Sequence, residues 1–272
     1  MTGSVAAERF ERQDFADKLL EFNNGAWPDM EGLIRDIYVA RVDKGRTILD
    51  VGVNHGNHLV QMAQTVGPTG HVIGFEAAPE LVRRTLGSIS AYYPDVADSV
   101  TIHNVAVSDK PGTAKFYFSK MNDSGLSGLA DRSALHDGEV EEITVPVRLI
   151  DDYMDADFIA RLDFAKVDIE GAEYDAFKGA TKVLSRRPLM TFEWDTAAPT
   201  YFSYAPEDLF NLIRSYGYEI YDLFGFHYPT VEDLVTTRVW NFVAVPVGMS
   251  PTYAIEPSIN TLRTAFPSFF TA

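Results

Sequence analysis

The segment Asp50-Val51-Gly52-Val53-Asn54-His55-Gly56 puts an acid and two glycines directly after the apolar run Thr47-Ile48-Leu49. If that run is a strand and residues 57–66 a helix, the turn carries backbone N–H groups and a carboxylate to the carboxyl edge of a parallel sheet. Open α/β folds bind their ligands at that edge. Asn54 stands where the G-x-G-x-x-G turn of dinucleotide binders has its second glycine, so close approach of a pyrophosphate is disfavoured. Two glycines behind an acid suit a ligand with a cationic amine and a sulfonium. Glu76 closes the next apolar run, and an acid there can accept both hydroxyls of a ribose. Beyond it, Asn104-Val105-Ala106-Val107-Ser108-Asp109 offers a backbone amide and small side chains that can line an adenine slot.

A second group of acids follows later in the chain. Asp168 and Glu170 end the run that begins at Phe164, and Glu193 and Asp195 end the run Leu189–Trp194. Alternation along an extended segment puts Asp168 and Glu170 on one side. Asp168 with Glu193 would make an oxygen-rich seat for Mg²⁺. Alternatively Asp168 or Glu170 is itself the base that removes a hydroxyl proton, or the acids only order the loop. Glu173, on the following helix, is expected to cap or pair. His227, in the loop Leu223–Pro229, suits general-base work near neutral pH, and its aromatic neighbours suit a stacking floor for a sugar ring. His136 can approach the site if its loop folds over, and His103 is expected to pack within its strand. The aromatic run Trp194–Tyr204 either adds acceptor contacts or belongs to the core.

These residues need a frame to hold them. Strands are expected at Thr47–Val51, His71–Phe75, Val100–Val105, Phe164–Ile169, Leu189–Trp194, Tyr218–Leu223 and Val239–Val245, with helical periodicity between them. The alternation predicts an α/β fold with a parallel sheet covered on both faces. Pro79 opens a helix at the first-turn position. Two further β-like runs, Thr113–Phe118 and Glu142–Val147, flank the polar loop Asn122–Gly128 and predict an inserted hairpin or sheet-edge extension. Apolar residues at helical spacing over 6–23 and 29–39 predict an N-terminal helical cap. The organisation expected is a single domain over 1–272, with a cap over 1–45, a core over 47–245 and a loosely packed tail over 246–272.

The order of these motifs resembles the FkbM-type family of class I S-adenosylmethionine-dependent methyltransferases, over about Thr47 to Val245. Its most specific part is Lys166-Val167-Asp168-Ile169-Glu170-Gly171-Ala172-Glu173, followed by Phe177-Lys178-Gly179-Ala180 and by Pro188–Glu193. The resemblance implies a Rossmann-like seven-stranded, mostly parallel sheet whose last strand is antiparallel. It implies S-adenosylmethionine as cofactor, with Asp50, Gly52, Val53, Asn54 and Gly56 around the methionine half. Glu76 and Ala77 would lie at the ribose, and Ala106 and Val107 by the adenine. Asp168 would be a further contact, with Ser124 over the site. His55 departs from the family, which usually has an apolar residue there; it is a site residue or a surface histidine. The implied reaction is O-methylation of a small-molecule hydroxyl on a sugar, glycoside or polyketide-type product.

The bulk properties narrow the alternatives. With 272 residues, 46% of them hydrophobic, the chain can bury a sizeable core, and the absence of cysteine rules out disulfides and thiolate metal sites. A net charge of −16 opposes nucleic-acid binding and an anionic membrane surface. No stretch has the length and apolarity of a membrane span or a signal sequence, so a cytoplasmic protein is expected, as a homodimer. An NAD-dependent oxidoreductase is the rival enzyme, though Asn54 and the lack of a Tyr-x-x-x-Lys pair oppose it. The other rival is a catalytically inactive methyltransferase fold kept as a binding protein, which would have no need of a ribose-binding acid.

Overall fold

The computed structural model describes residues 10–119, 127–131, 140–196 and 198–271. Two helices come first, α1 (Arg12–Phe22) and α2 (Met30–Arg41). Asp29 starts α2 by accepting the Gly32 N–H at 2.9 Å, which satisfies one of the donors a helix start leaves open. There follow β1 (Thr47–Val51), α3 (Asn57–Val66), β2 (His71–Phe75), α4 (Pro79–Tyr92) and β3 (Val100–His103). After these come the short β4 (Ala106–Val107), then β5 (Gly112–Ser119) and β6 (Val140–Arg148). The second half runs α5 (Ala156–Arg161), β7 (Leu162–Val167), α6 (Glu173–Lys178), α7 (Thr181–Arg186) and β8 (Leu189–Glu193). It ends with α8 (Ala198–Tyr201), α9 (Pro206–Ser215), β9 (Tyr218–Asp222), α10 (Val231–Val235), β10 (Asn241–Pro246), α11 (Pro251–Ala265) and α12 (Pro267–Thr271).

Seven strands form one sheet in the order β3-β2-β1-β7-β8-β10-β9. Neighbours from β3 to β8 are parallel, whereas β10 runs antiparallel to both β8 and β9. This is the mostly parallel sheet with an antiparallel last strand that the family resemblance implies. β1 lies at the centre with every residue buried, Ile48, Leu49 and Val51 packing on its two faces and Asp50 the one acid carried inside. The chain leaves β1 toward β2 and later returns on its other side with β7. The carboxyl ends of β1, β2 and β7 therefore open a crevice at this reversal of strand order.

The inserted runs form a hairpin, β5 against β6, with β4 parallel to β6 on its other side. It is a separate three-stranded sheet. Phe116, Phe118, Val145 and Val147 pack it onto Ala77, Ala78 and Leu81, so the hairpin lies against the carboxyl end of β2.

The expected loosely packed tail is instead a fifteen-residue helix, α11. Ser250 caps it by accepting the Tyr253 N–H, Pro251 opens it, and Ala254, Ile255, Ile259 and Leu262 are buried. Its proline and hydroxyl content suggested a coil, but two of those residues are helix-start signals. α11 packs along α2; Thr261 Oγ1 donates to Asp36 Oδ2 at 2.6 Å and the Arg41 guanidinium lies 4.1 Å from the Tyr253 ring centre. Phe269 and Phe270 of α12 are also buried, Phe269 stacking on Phe10. Among the described residues, no helix is long and apolar enough to cross a membrane.

Candidate active site

A cavity of about 560 Å³ opens at the carboxyl edge of the sheet, between the turn after β1, the ends of β2, β7 and β8, the hairpin and α2. The turn after β1 is held by backbone conformations that explain its composition. Gly52 has φ +90°, and a Cβ there would lie 1.8 Å from the Asp168 carbonyl oxygen, so only glycine fits. Asn54 and Gly56 also have positive φ, of +51° and +79°; asparagine is among the few side chains that tolerate this region. The Glu76 carboxylate, buried at 7% exposure, grips this turn. One oxygen accepts the Asn54 N–H and the other the Ala78 N–H, both at 2.8 Å. Burial pushes the Glu76 carboxyl upward, with these amides pulling the other way. A carboxylate has about four acceptor positions, so Glu76 keeps capacity for two hydroxyls. Asn104 Nδ2 donates to the Glu76 and Ala77 carbonyls at 2.9 and 3.0 Å and fixes the end of β2.

Beside Glu76 the wall turns apolar. Phe75, Ala77, Leu81, Val105, Ala106, Val107, Phe116 and Leu129 line this end, with Ser127 among them. Such a lining suits a flat heterocycle.

The opposite end is ionic. Lys166, 4% exposed, donates to Asp168 Oδ2 at 2.8 Å. Burial works against its charge, but Asp168, Asp50 and Glu31 outweigh that, and its pKa is raised. Asp168 is drawn up by burial and more strongly down by Lys166 and by a hydrogen bond from Glu193, so it stays ionised. Glu193 is pushed well above the carboxylate range by burial and by the charges of Asp168 and Glu170. The proton of this pair therefore resides on Glu193. One oxygen each of Asp168, Glu170 and Glu193 lie within 4.8 Å of one another. Asp168 and Glu170 share the cavity wall as expected, but not by strand alternation. β7 ends at Val167, and a turn with Glu170 at φ +61° and Gly171 at +104° aims the acids. Glu173 holds that turn, as expected of a capping acid: its Oε1 accepts the Ile169 and Gly171 N–H groups at 2.9 and 3.3 Å.

Of the residues singled out in the sequence, Gly52, Val53, Asn54, His55, Glu76, Ala77, Ala106, Val107, Asp168, Glu170 and Glu193 line this one cavity. Gly56 is adjacent, starting α3. Asp50 is wholly buried behind the wall, and neither of its oxygens has a hydrogen-bond partner among the described residues. Burial raises its pKa to about 6. His227 is not at the cavity. It follows β9, at the far edge of the sheet, with its ring stacked 4.7 Å from that of Tyr221, because the loop after β9 folds back along that strand in a Tyr221–His227 bridge. His103 stacks 4.1 Å from Tyr153, and Trp194 and Tyr204 are core residues joined by a 3.1 Å hydrogen bond. Ser124 and His136 lie outside the described residues. Sequence reasoning missed Asp29, Glu31, Arg35 and His58, which line the cavity from α2 and the start of α3. Asp29, Glu31 and Arg35 are interspersed with apolar residues at the start of a helix expected only to cap the sheet, and His58 lies on α3, so nothing in their spacing marks a site.

The chain is 25% identical over 157 residues to the 2-O-methyltransferase NoeI of Sinorhizobium fredii, which covers 54% of this chain and 62% of that one. A 55-residue stretch is 38% identical to a protein-L-isoaspartate O-methyltransferase of Ignicoccus hospitalis, 20% of this chain and 26% of that one. The match thus spans less than two thirds of the first of these curated relatives and about a quarter of the second. A solved S-adenosylmethionine-dependent O-methyltransferase of Thermotoga maritima superposes with a TM-score of 0.40 at 14% identity, covering 85% of this chain and 70% of that one. The family described as the methyltransferase FkbM domain matches residues 50–220, a stretch that holds the glycine turn, Glu76 and the Lys166–Glu173 run, and the chain belongs to that family.

Proposed function

We propose that this protein is an S-adenosylmethionine-dependent O-methyltransferase that methylates a hydroxyl of a small acceptor, a sugar, glycoside or polyketide-type product. The observation that carries the reading is that one cavity joins an acid-clamped glycine turn and an apolar slot to a cluster of carboxylates. The buried orphan oxygens of Asp50 fit a cationic ligand nearby, since an uncompensated buried acid is otherwise costly. When bound, the cofactor supplies an electrophilic methyl group on a sulfonium.

The chain's residues bind, orient and accept a proton. Glu76 would receive the ribose hydroxyls, and Ala106, Val107 and Phe116, which line the apolar end of the cavity, would enclose the adenine. Methyl transfer is an in-line displacement, so alignment of the acceptor supplies much of the rate. The acceptor hydroxyl must also lose its proton. Asp168, kept ionised by Lys166 and by Glu193, receives it, and Glu170 orients the acceptor from the same turn.

A second reading, Mg²⁺ at Asp168, Glu170 and Glu193, rests on their close ligand atoms. A dication there would have to displace the proton of Glu193 and compete with Lys166 for Asp168, which favours the metal-free mechanism. Calorimetric titration with S-adenosylhomocysteine, beside a Glu76→Ala variant and an NAD control, tests the cofactor. Micromolar binding that the variant loses is expected; binding of NAD alone would sink the reading. Glycoside acceptors are then screened by mass spectrometry for a gain of one methyl, with and without exhaustive chelation. Cofactor binding with no turnover on any acceptor would favour an inactive binding protein.

A further inference from the structure

α2 lies ahead of the family-matched stretch, yet it builds one wall of the cavity. It contributes Glu31 and Arg35, one helical turn apart and hence on the same face. Both are held from behind by buried or helix-bound groups.

Behind Glu31 stands a chain of two rings. The Tyr38 hydroxyl lies 3.1 Å from His58 Nδ1, and His58 Nε2 lies 2.5 Å from Glu31 Oε2. Tyr38 is fully buried and His58 is 9% exposed. Burial raises the Tyr38 pKa far above the ordinary range, so its hydroxyl stays protonated. One arrangement of hydrogens satisfies both contacts: the Tyr38 O–H donates to Nδ1, and Nε2–H donates to Glu31. The hydrogen bond from His58 outweighs burial and holds the Glu31 carboxyl below its ordinary value, so the wall carries a negative charge there. Behind Arg35, its Nε donates to Asp36 Oδ1 at 2.9 Å, and Asp36 in turn accepts Thr261 Oγ1 of α11 at 2.6 Å.

Four other acids of the cavity are committed elsewhere: Glu76 clamps the turn, Asp29 caps α2, Asp168 carries Lys166, and Glu193 shares its proton with Asp168. Glu170 is grouped with Asp168 and Glu193 at the ends of β7 and β8. Asp50 lies behind the wall. Glu31, joined through His58 to the first turn of α3, is the acid presented to a cation beside the glycine turn. An uncharged acceptor hydroxyl needs no acid and base one helical turn apart, whereas an α-amino acid zwitterion does.

We propose that α2 reads the amino-acid end of the cofactor, Glu31 holding its ammonium and Arg35 its carboxylate. The assignment rests on the cofactor proposed above. It makes the N-terminal helix, and the tail helix α11 that braces it, part of the cofactor site.

The test needs no acceptor. S-adenosylhomocysteine carries the amino-acid end; 5′-methylthioadenosine keeps adenine, ribose and sulfur but lacks it. Calorimetry with both ligands is run on wild type, Glu31→Gln and Arg35→Gln, each variant first shown to melt within a few degrees of wild type. Each variant is expected to weaken S-adenosylhomocysteine by about tenfold or more while 5′-methylthioadenosine stays within about twofold. Unchanged binding of both ligands in both variants overturns the proposal, as does a parallel loss of both ligands. A loss in one variant alone overturns the assignment of the other residue. If wild type binds neither ligand, the cofactor reading itself falls, which is a different failure.

Discussion

Asp50 on β1 and Lys166 on β7 are register partners across two parallel strands at the centre of the sheet. Asp50 is fully buried, Lys166 nearly so, and Asp168 shares the Lys166 ammonium. This buried cation bonds Asp168 directly and reaches Asp50 only through its charge. Removing it leaves Asp168 ionised and uncompensated, and breaking such a pair from one side costs roughly 3–5 kcal/mol. Lys166→Met is expected to lose about that much in urea denaturation. The double variant Lys166→Met, Asp168→Asn should recover part of it, because Asp168 is then no longer an orphaned charge, while Asp50 still lacks the ammonium. Equal stability of the single variant and wild type would show that the cluster is not a buried ionic one.

Glu173 sets a pH dependence of stability. It is completely buried, and burial raises its carboxyl to about 8. The folded protein therefore holds this proton more tightly than the unfolded chain. The stabilisation is whole below the ordinary value of 4.5 and is lost as pH rises toward about 8. Asp50 and Asp222, both raised to about 6 by burial, add to the same trend. The melting temperature is expected to fall between pH 5 and pH 8. A Glu173→Gln variant keeps an acceptor for the Ile169 and Gly171 amides and should lose less stability over that range than wild type. Calorimetric melts at half-unit steps check this; parallel curves for the two proteins would refute it.

Most of the frame was legible because its signals are local. Thr47–Val51 is a short, largely apolar run, Gly52 and Gly56 punctuate its end, and Pro79 starts the next helix, so strand, turn and helix follow from short-range rules. Glu76 was legible for the same reason, since it directly ends a strand. The wall formed by α2 was not. Glu31 and Arg35 gain meaning only when α2 is packed beside α3, and His58 becomes a link only through Tyr38, twenty positions away. His227 failed differently: its type suits chemistry, but strand order puts β9 at the far edge of the sheet. The tail misled because Pro251 and Ser250 were weighed as coil formers when they are a helix start.

Gly52 tests how tightly the turn and the acidic end are joined. Its Cα faces the Asp168 carbonyl, where an added Cβ would lie 1.8 Å from oxygen, and its φ of +90° disfavours any side chain. Gly52→Ala must push the turn after β1 away from the turn after β7. Stability is expected to fall by about 2 kcal/mol or more, and S-adenosylhomocysteine binding should fall by more than ten-fold, because Asn54 and Glu76 move with the turn. A variant that binds as wild type does would mean that the turn has slack this geometry denies.

Asp50 gives the cofactor site its own pH dependence. With its carboxyl at about 6, Asp50 is partly protonated in the free protein near that pH. A cationic ligand beside the wall favours the ionised form and lowers this value. Binding therefore releases a proton below about pH 7, and affinity rises as pH increases through 6, then levels off. The ammonium of S-adenosylhomocysteine stays charged over this range and adds no slope of its own. Calorimetric titrations between pH 5 and 8, in buffers of different ionisation enthalpy, report both affinity and proton count. Asp50→Asn should flatten the profile. An affinity that is constant from pH 5 to 8 in wild type would show that the buried acid and the bound cation do not sense each other.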